Sequence, residues 1–465
     1  MTNIACSFDQ VAAENIEKIV LISRDRSLTW RELDLKAGGV ASYIQSKGIS
    51  SGARLAIYVE DPIDTVIGIL GGLKAGCVIT PFNSRLIDEE RQQIMSLLNP
   101  SLVLKRIPET RDEFPAINVE PEEAAIILFT SGSTGLPKGV VLSHRSVKKG
   151  LDMWSQSALA LKSNDIVLSV LPLAHSYGLF GTVLSPLRQG ASSVLVPRFD
   201  VEEVLRTISD NQVTIFCGVA TMFRRILESK SLNSKMLASL RFATSGAAPC
   251  PWELAVSWKK NTGLRIVRGY GMSELFRPIC YSPDDEFELP NAIGRAAIDV
   301  NLKIVDDDGN LVKGPEPGEL WIKTESCMTE YLENPDDTDS VMKDGWFMTG
   351  DLATISSEGL VSVVGRKKEV VLRGGYTVAA GEVECVLNTY SEISESAVIP
   401  LPDPDLGEEI CAFVVLKSGS KCSEQEIIDY CKTQMATYKY PRVIKFLSEL
   451  PKGDTGKVQK AKLKI

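Results

Sequence analysis

The stretch AAIILFTSGSTGLPKG, Ala124 to Gly139, decides how the rest of the chain is read. Ala124 to Phe129 is a short apolar run, which predicts a buried strand. Thr130 to Gly139 then packs four hydroxyl side chains, three glycines and Lys138 into ten residues. Glycine lets a backbone approach a bound group closely, consecutive N–H groups form an anion-binding nest, and hydroxyls add donors. Lys138 supplies a mobile positive charge. The loop is not a Walker motif, because no Gly-Lys-Ser/Thr stands at the required spacing. Composition alone also allows an ordinary polar loop, since Gly and Ser are the usual residues of turns.

Outward from this stretch, apolar runs alternate with helical patterns. Leu55 to Val59 reads as a strand and Asp61 to Lys74 as a helix with Pro62 at its first position. Val147 to Leu161 reads as helical and Ile166 to Leu171 as a strand. Val213 to Cys217, Arg241 to Thr244 and Leu264 to Val267 are further short strands. Such alternation predicts an α/β fold with mainly parallel sheets covered by helices. After about Gly294 the texture turns β-rich: Val300 to Val305 and Gly318 to Lys323 read as antiparallel strands around a turn at Asp307 to Asn310. The last hundred or so residues suggest a small α+β unit, with helices at Gly381 to Asn388 and Glu424 to Gln434. The expected organisation is an N-terminal domain over 1–365, a hinge at 366–368 and a mobile C-terminal domain over 369–465.

The bulk properties narrow the function. A chain of 465 residues is too long for one core. Its net charge of −9 and the lack of a long Lys/Arg block argue against a nucleic-acid partner. Ten cysteines without a Cys-x-x-Cys pair, and only two histidines, offer no zinc cluster. Scattered thiols fit a reducing cytoplasm. The N-terminus lacks the apolar core of a signal peptide. No apolar run reaches the roughly 18 residues that span a bilayer.

Further motifs follow the loop in order: PLAHSYG (Pro172 to Gly178), SGAAP (Ser245 to Pro249), GYGMSE (Gly269 to Glu274), GELWIK (Gly318 to Lys323), TGD (Thr349 to Asp351), GRKKE (Gly365 to Glu369), GGYTVAAGEVE (Gly374 to Glu384) and PKGDTGK (Pro451 to Lys457). This ordered set resembles the AMP-forming adenylating superfamily: acyl- and aryl-CoA synthetases, peptide-synthetase adenylation domains and beetle luciferases. The resemblance spans nearly the whole chain. It implies attack of a substrate carboxylate on the α-phosphate of ATP with release of pyrophosphate, then transfer of the acyl group to a thiol.

The resemblance also implies roles. Thr130, Ser131, Gly132, Ser133, Thr134, Gly135 and Lys138 would hold the departing phosphates. Ser273 would contact phosphate, and Glu274 would ligate the Mg2+ that accompanies ATP. Tyr270 offers a face for adenine, with Gly271 beside it and the small Gly246, Ala247 and Ala248 leaving room opposite. Asp351 would accept the ribose hydroxyls and Arg366 would reach the ribose or phosphate. His175 would lie near the substrate carboxylate, whereas His144 reads as structural. Lys457 would stabilise charge between carboxylate and α-phosphate during adenylation. Lys368 would be the pivot of the C-terminal domain, and Gly374 and Gly375 would make space for a pantetheine arm.

Some positions depart from the family pattern. Ala380 stands where proline is usual, Thr324 and Glu330 replace glycines, and Ala220 replaces a proline. Ser176 stands where amino-acid-activating relatives carry Asp. A buried ammonium without a carboxylate is costly, which disfavours an α-amino acid and leaves aliphatic or aryl acids. The expected partners are a small carboxylic acid and either CoA or the phosphopantetheine of a carrier protein. A non-enzymatic binding module is the rival from another class; retention of Lys138, Glu274, Asp351 and Lys457 argues against it.

Overall fold

The computed structural model describes all residues except 1, 25, 84, 85, 87, 132–136, 286, 287, 313, 315, 368, 374, 375, 454–456 and 465. Two compact units emerge: one formed by 1–301 and 323–347, the other by 302–322 and 348–465.

The first unit holds two large sheets with helices, as the alternation predicts. In the six-stranded sheet the order is Glu330–Tyr331, Pro137–Ser143, Ala124–Ser131, Val78–Pro81, Arg54–Ile57 and Leu102–Leu104. Its pairings beyond Ala124–Ser131 are parallel. Ala124–Ser131 also turns back antiparallel onto Pro137–Ser143, placing Thr130 opposite Lys138. Lys138 therefore lies on a strand paired with the one that carries Thr130. The helix comes next, at His144–Met153. It begins earlier than its apolar pattern suggests, because the Ser143 side chain caps it by accepting from the backbone N–H of Ser146.

The seven-stranded sheet runs Ile266–Val267, Phe242–Ser245, Ile215–Gly218, Ile166–Ser169, Ser192–Leu195, Ile19–Ser23 and Arg26–Thr29. All its pairings are parallel except the last, an antiparallel edge. Helices at Val201–Asp210 and Trp252–Thr262 bury Val204, Leu205, Ile208 and Trp258 in the core on this sheet. Phe223 packs edge-on between Phe216 and Trp258. The helix Pro62–Lys74 is capped by Asp61 with proline in its first turn, as its sequence predicts. Its last residue, Lys74, is buried and bridges Asp9 at 2.6 Å and Asp34 at 2.8 Å.

A third, antiparallel sheet carries GYGMSE. Gly269–Met272 pairs with Phe276–Cys280, which pairs with Arg295–Ala296. The turn between the first two strands sets Phe276 at φ +61°, a left-handed conformation that bulky residues rarely adopt.

In the second unit, Trp346–Ile355, entering from the first, pairs antiparallel with Val361–Arg366. The turn at Asp307 to Asn310 brings Leu311 back against Val305. The rest is a sheet of Tyr376–Ala379, Val370–Arg373, Gly407–Leu416 and Ile393–Asp403, with Val443–Phe446 also on Gly407–Leu416. Helices Ala380–Thr389 and Glu424–Gln434 cover it. Ser423 and Glu426 close a capping box at the start of the second. The expected α/β class with β-rich additions and a small α+β part is thus borne out.

The ten cysteines form no disulfide among the described residues. Among those residues no helix is long and apolar enough to cross a membrane.

Candidate functional site

In the first unit, three of the motifs meet. The Ser273 hydroxyl donates to that of Ser176 at 3.3 Å, tying GYGMSE to PLAHSYG. Tyr177 donates its hydroxyl to the Thr244 carbonyl at 2.9 Å, tying PLAHSYG to the strand that ends in SGAAP. A Cβ on Gly246 would come within 2.7 Å of the Tyr177 ring, so glycine there is dictated by that ring. Ala247, next in the turn, sits at φ +64°, a rare conformation for a residue with a side chain. Gly271 also has a local reason: a Cβ there would lie 2.3 Å from the Phe276 carbonyl oxygen. Tyr270 and Ser273 are half-buried, Ala247 is exposed, and Ala248 and His175 are half-buried.

Glu274 and Lys138 belong to one connected group. Tyr331 donates its hydroxyl to Glu274 Oε1 at 2.9 Å. The Glu274 carbonyl also accepts the Met328 N–H at 2.8 Å. Lys138 Nζ lies 5.2 Å from the Tyr331 ring centroid and 2.7 Å from Asp337 Oδ2. Burial raises the Tyr331 phenol above its usual range, and the Glu274 carboxylate adds to the effect. It therefore stays a donor at any ordinary pH. Tyr331 and Asp337 are absent from the sequence reading. They come from the far strand Glu330–Tyr331 and the short helix Pro335–Asp339, which only pairing across the sheet brings to Lys138.

In the second unit, Arg366 Nε sits 3.0 Å from Asp351 Oδ1, with Asp351 buried and Arg366 exposed. The strand register sets this pair, because Asp351 and Arg366 are direct partners. Gly350, at φ +70° within the strand, precedes Asp351, and its N–H reaches Glu319 Oε1 at 3.2 Å. Lys457 is exposed, and its carbonyl accepts the Gly453 N–H at 2.9 Å. Lys460 lies 2.5 Å from Glu369 Oε2 and 2.8 Å from Glu384 Oε1. Of the residues expected to bind phosphate, Gly132, Ser133, Thr134 and Gly135 lie outside the described residues, as do Lys368, Gly374, Gly375 and the Ser131 side chain.

The family model of AMP-binding enzymes matches residues 8–117 and 106–332, and that of the AMP-binding enzyme C-terminal domain matches 382–457. The chain belongs to the AMP-binding enzyme family. The relatives of this AMP-binding enzyme include a long-chain-fatty-acid–CoA ligase of Yersinia pestis, 27% identical over 98% of this chain and 93% of the relative. The 4-coumarate–CoA ligase 3 of Arabidopsis thaliana is 30% identical over 96% of this chain and 88% of its own. ATP-bound MatB from Rhodopseudomonas palustris superimposes with a TM-score of 0.92, at 26% identity, over 98% of this chain and 97% of that one. The present AMP-binding enzyme is an AMP-forming acid–thiol ligase of the acyl-CoA synthetase kind, as its ordered motifs imply.

Proposed function

We propose that this ligase activates a small carboxylic acid as acyl-AMP and passes the acyl group to CoA. A carboxylate oxygen attacks the α-phosphorus and the bond to pyrophosphate breaks. The thiol sulfur then attacks the acyl carbonyl and AMP leaves. The observation that carries the reading is the convergence of PLAHSYG, SGAAP and GYGMSE through Ser176–Ser273 and Tyr177–Thr244.

In this reading Lys138 and the loop residues Thr130 to Gly135 neutralise the leaving phosphates, with Ser273 adding a hydroxyl. Tyr270 packs on the base, beside Gly271 and the SGAAP turn of Gly246, Ala247 and Ala248. Asp351 takes the ribose hydroxyls, oriented by Arg366. His175 stands by the substrate carboxylate, and Lys457 stabilises the adenylation transition state. Lys368 is the pivot between half-reactions, and Gly374 and Gly375 flank the thiol's path. Domains over 1–365 and 369–465 move about that hinge.

Magnesium fits Glu274 as a partner that arrives on the nucleotide. Glu274 is a buried carboxylate with one oxygen held by Tyr331, and no group of three acidic, Cys or His side chains forms a cage among the described residues. Magnesium, which keeps several waters and phosphate oxygens, needs only such a single protein carboxylate. When bound it would neutralise phosphate charge. Scattered cysteines without disulfides suit a reducing cytoplasm.

The test is acid-dependent ATP–pyrophosphate exchange across short, long, aryl and amino acids, followed by CoA or a holo carrier protein. Exchange with consumption of the adenylate by CoA supports the proposal. Consumption by the carrier protein alone replaces the acceptor, and no exchange with any acid overturns the ligase reading.

A further inference from the structure

We infer that Arg277 recognises a second anionic group on the substrate, so that the acid this enzyme activates is a dicarboxylic acid. The inference rests on the acid-activating reading above and names the substrate class for that same site.

Arg277 follows GYGMSE by three residues and is only 2% exposed. Its sequence setting, FRPIC, is a buried strand in which every residue is inside. A guanidinium stays charged when buried, so burial without an anion is costly. Among the described residues it has no carboxylate partner. Its Nη2 donates to the Val267 carbonyl at 3.3 Å, while Nε and Nη1 have no hydrogen-bond partner. The indole of Trp154, 5.1 Å from Cζ, covers one face.

The neighbouring Arg268 shows how this chain treats a purely structural buried arginine. It is 5% exposed, and Glu288 sits 2.9 Å from its Nε while the carbonyls of Pro290 and Leu289 take its other nitrogens. Arg268 is neutralised and saturated by its own chain; among the described residues Arg277 has no carboxylate, and two of its nitrogens have no hydrogen-bond partner.

The place of Arg277 connects it to the site. A Cβ on Gly269, the first residue of GYGMSE, would lie 2.6 Å from its Nε, so glycine there gives the guanidinium its room. Trp154 stacks on Tyr177 at 5.4 Å, and Tyr177 is two residues beyond His175 in the same motif. The positive φ of Phe276 immediately precedes Arg277 and directs the strand that carries it. A strained turn, a glycine and an aromatic face thus converge on a charge that has no counter-ion among the described residues. An acid reacting at one carboxylate, with a second carboxylate at its far end, supplies it.

The experiment measures kcat/KM in pyrophosphate exchange for succinate, glutarate and adipate, each beside its monoamide, with butyrate and octanoate as uncharged-tail acids. Wild-type enzyme is expected to favour at least one dicarboxylate over its monoamide by about 100-fold, because a site built around a buried charge rejects the analogue lacking the partner. Arg277→Met should collapse that ratio towards unity, and Arg277→Lys should keep part of it. A preference for uncharged-tail acids in wild-type enzyme overturns the inference while leaving the ligase reading intact. An unchanged ratio in Arg277→Met does the same. If Arg277→Met does not fold, the wild-type ratio and Arg277→Lys decide. Silence with every acid overturns the ligase reading and this inference with it.

Discussion

Tyr331 donates its hydroxyl to Glu274 at 2.9 Å from a strand that lies 57 residues further along the chain. The same ring lies 5.2 Å from Lys138 Nζ, so one tyrosine connects the proposed metal-binding carboxylate to the proposed phosphate-binding lysine.

Tyr331→Phe keeps the ring beneath Lys138 and removes only the donor. A buried carboxylate losing one hydrogen bond costs about 1–3 kcal/mol. Pyrophosphate exchange should fall about 10- to 100-fold, with a raised Mg2+ requirement. An unaltered Mg2+ titration would detach Tyr331 from the metal's carboxylate.

Asp351→Ala leaves Arg366 without the carboxylate 3.0 Å from its Nε and removes the proposed ribose acceptor. KM for ATP should rise about 10- to 100-fold, as expected for a lost charge-assisted contact. Asp351→Asn keeps an acceptor and should cost less. The check is initial-rate kinetics at saturating acid; an unchanged KM for ATP removes Asp351 from the nucleotide site.

Lys457→Ala should lower adenylate formation by about 2–4 kcal/mol of transition-state stabilisation. Thioester formation from a supplied acyl-adenylate should largely survive. The two half-reactions are separable by pyrophosphate exchange and by thioester release. Equal damage to both would refute the domain-rotation account.

His144 predicts an acid-sensitive fold. Its Nδ1 accepts the Ile4 N–H at 3.1 Å, and burial lowers its pKa from 6.5 to about 4. The unfolded chain then takes up a proton as pH falls below 6.5, while the folded chain resists until about 4. Stability is therefore present above 6.5 and falls with pH through that window, by about 2 kcal/mol between pH 7.5 and 5. Urea denaturation at the two pH values measures it. His144→Asn retains an acceptor and should flatten the dependence.

The sequence by itself determined the order of elements and the chemistry class. Ala124 to Phe129 reads as a strand because apolar residues run together, and Asp61 to Lys74 as a helix because Pro62 suits its first position. These are local signals, and they survive folding. The motifs named Lys138, Glu274, Asp351 and Lys457 without any geometry. Only tertiary structure placed Tyr331 and Asp337 at Lys138, because strand pairing across the sheet has no local signature. Arg277 was invisible for a related reason. In sequence it is one charge inside an apolar run, and whether such a charge meets an anion depends on neighbours far along the chain. Folding gave Arg268 its Glu288, and among the described residues it gave Arg277 none. The Thr130 to Gly139 stretch stands between these cases: its composition allowed a phosphate loop or a plain polar loop and the motif order favoured the first, while only the antiparallel pairing of Thr130 with Lys138 decided that the lysine lies on a neighbouring strand.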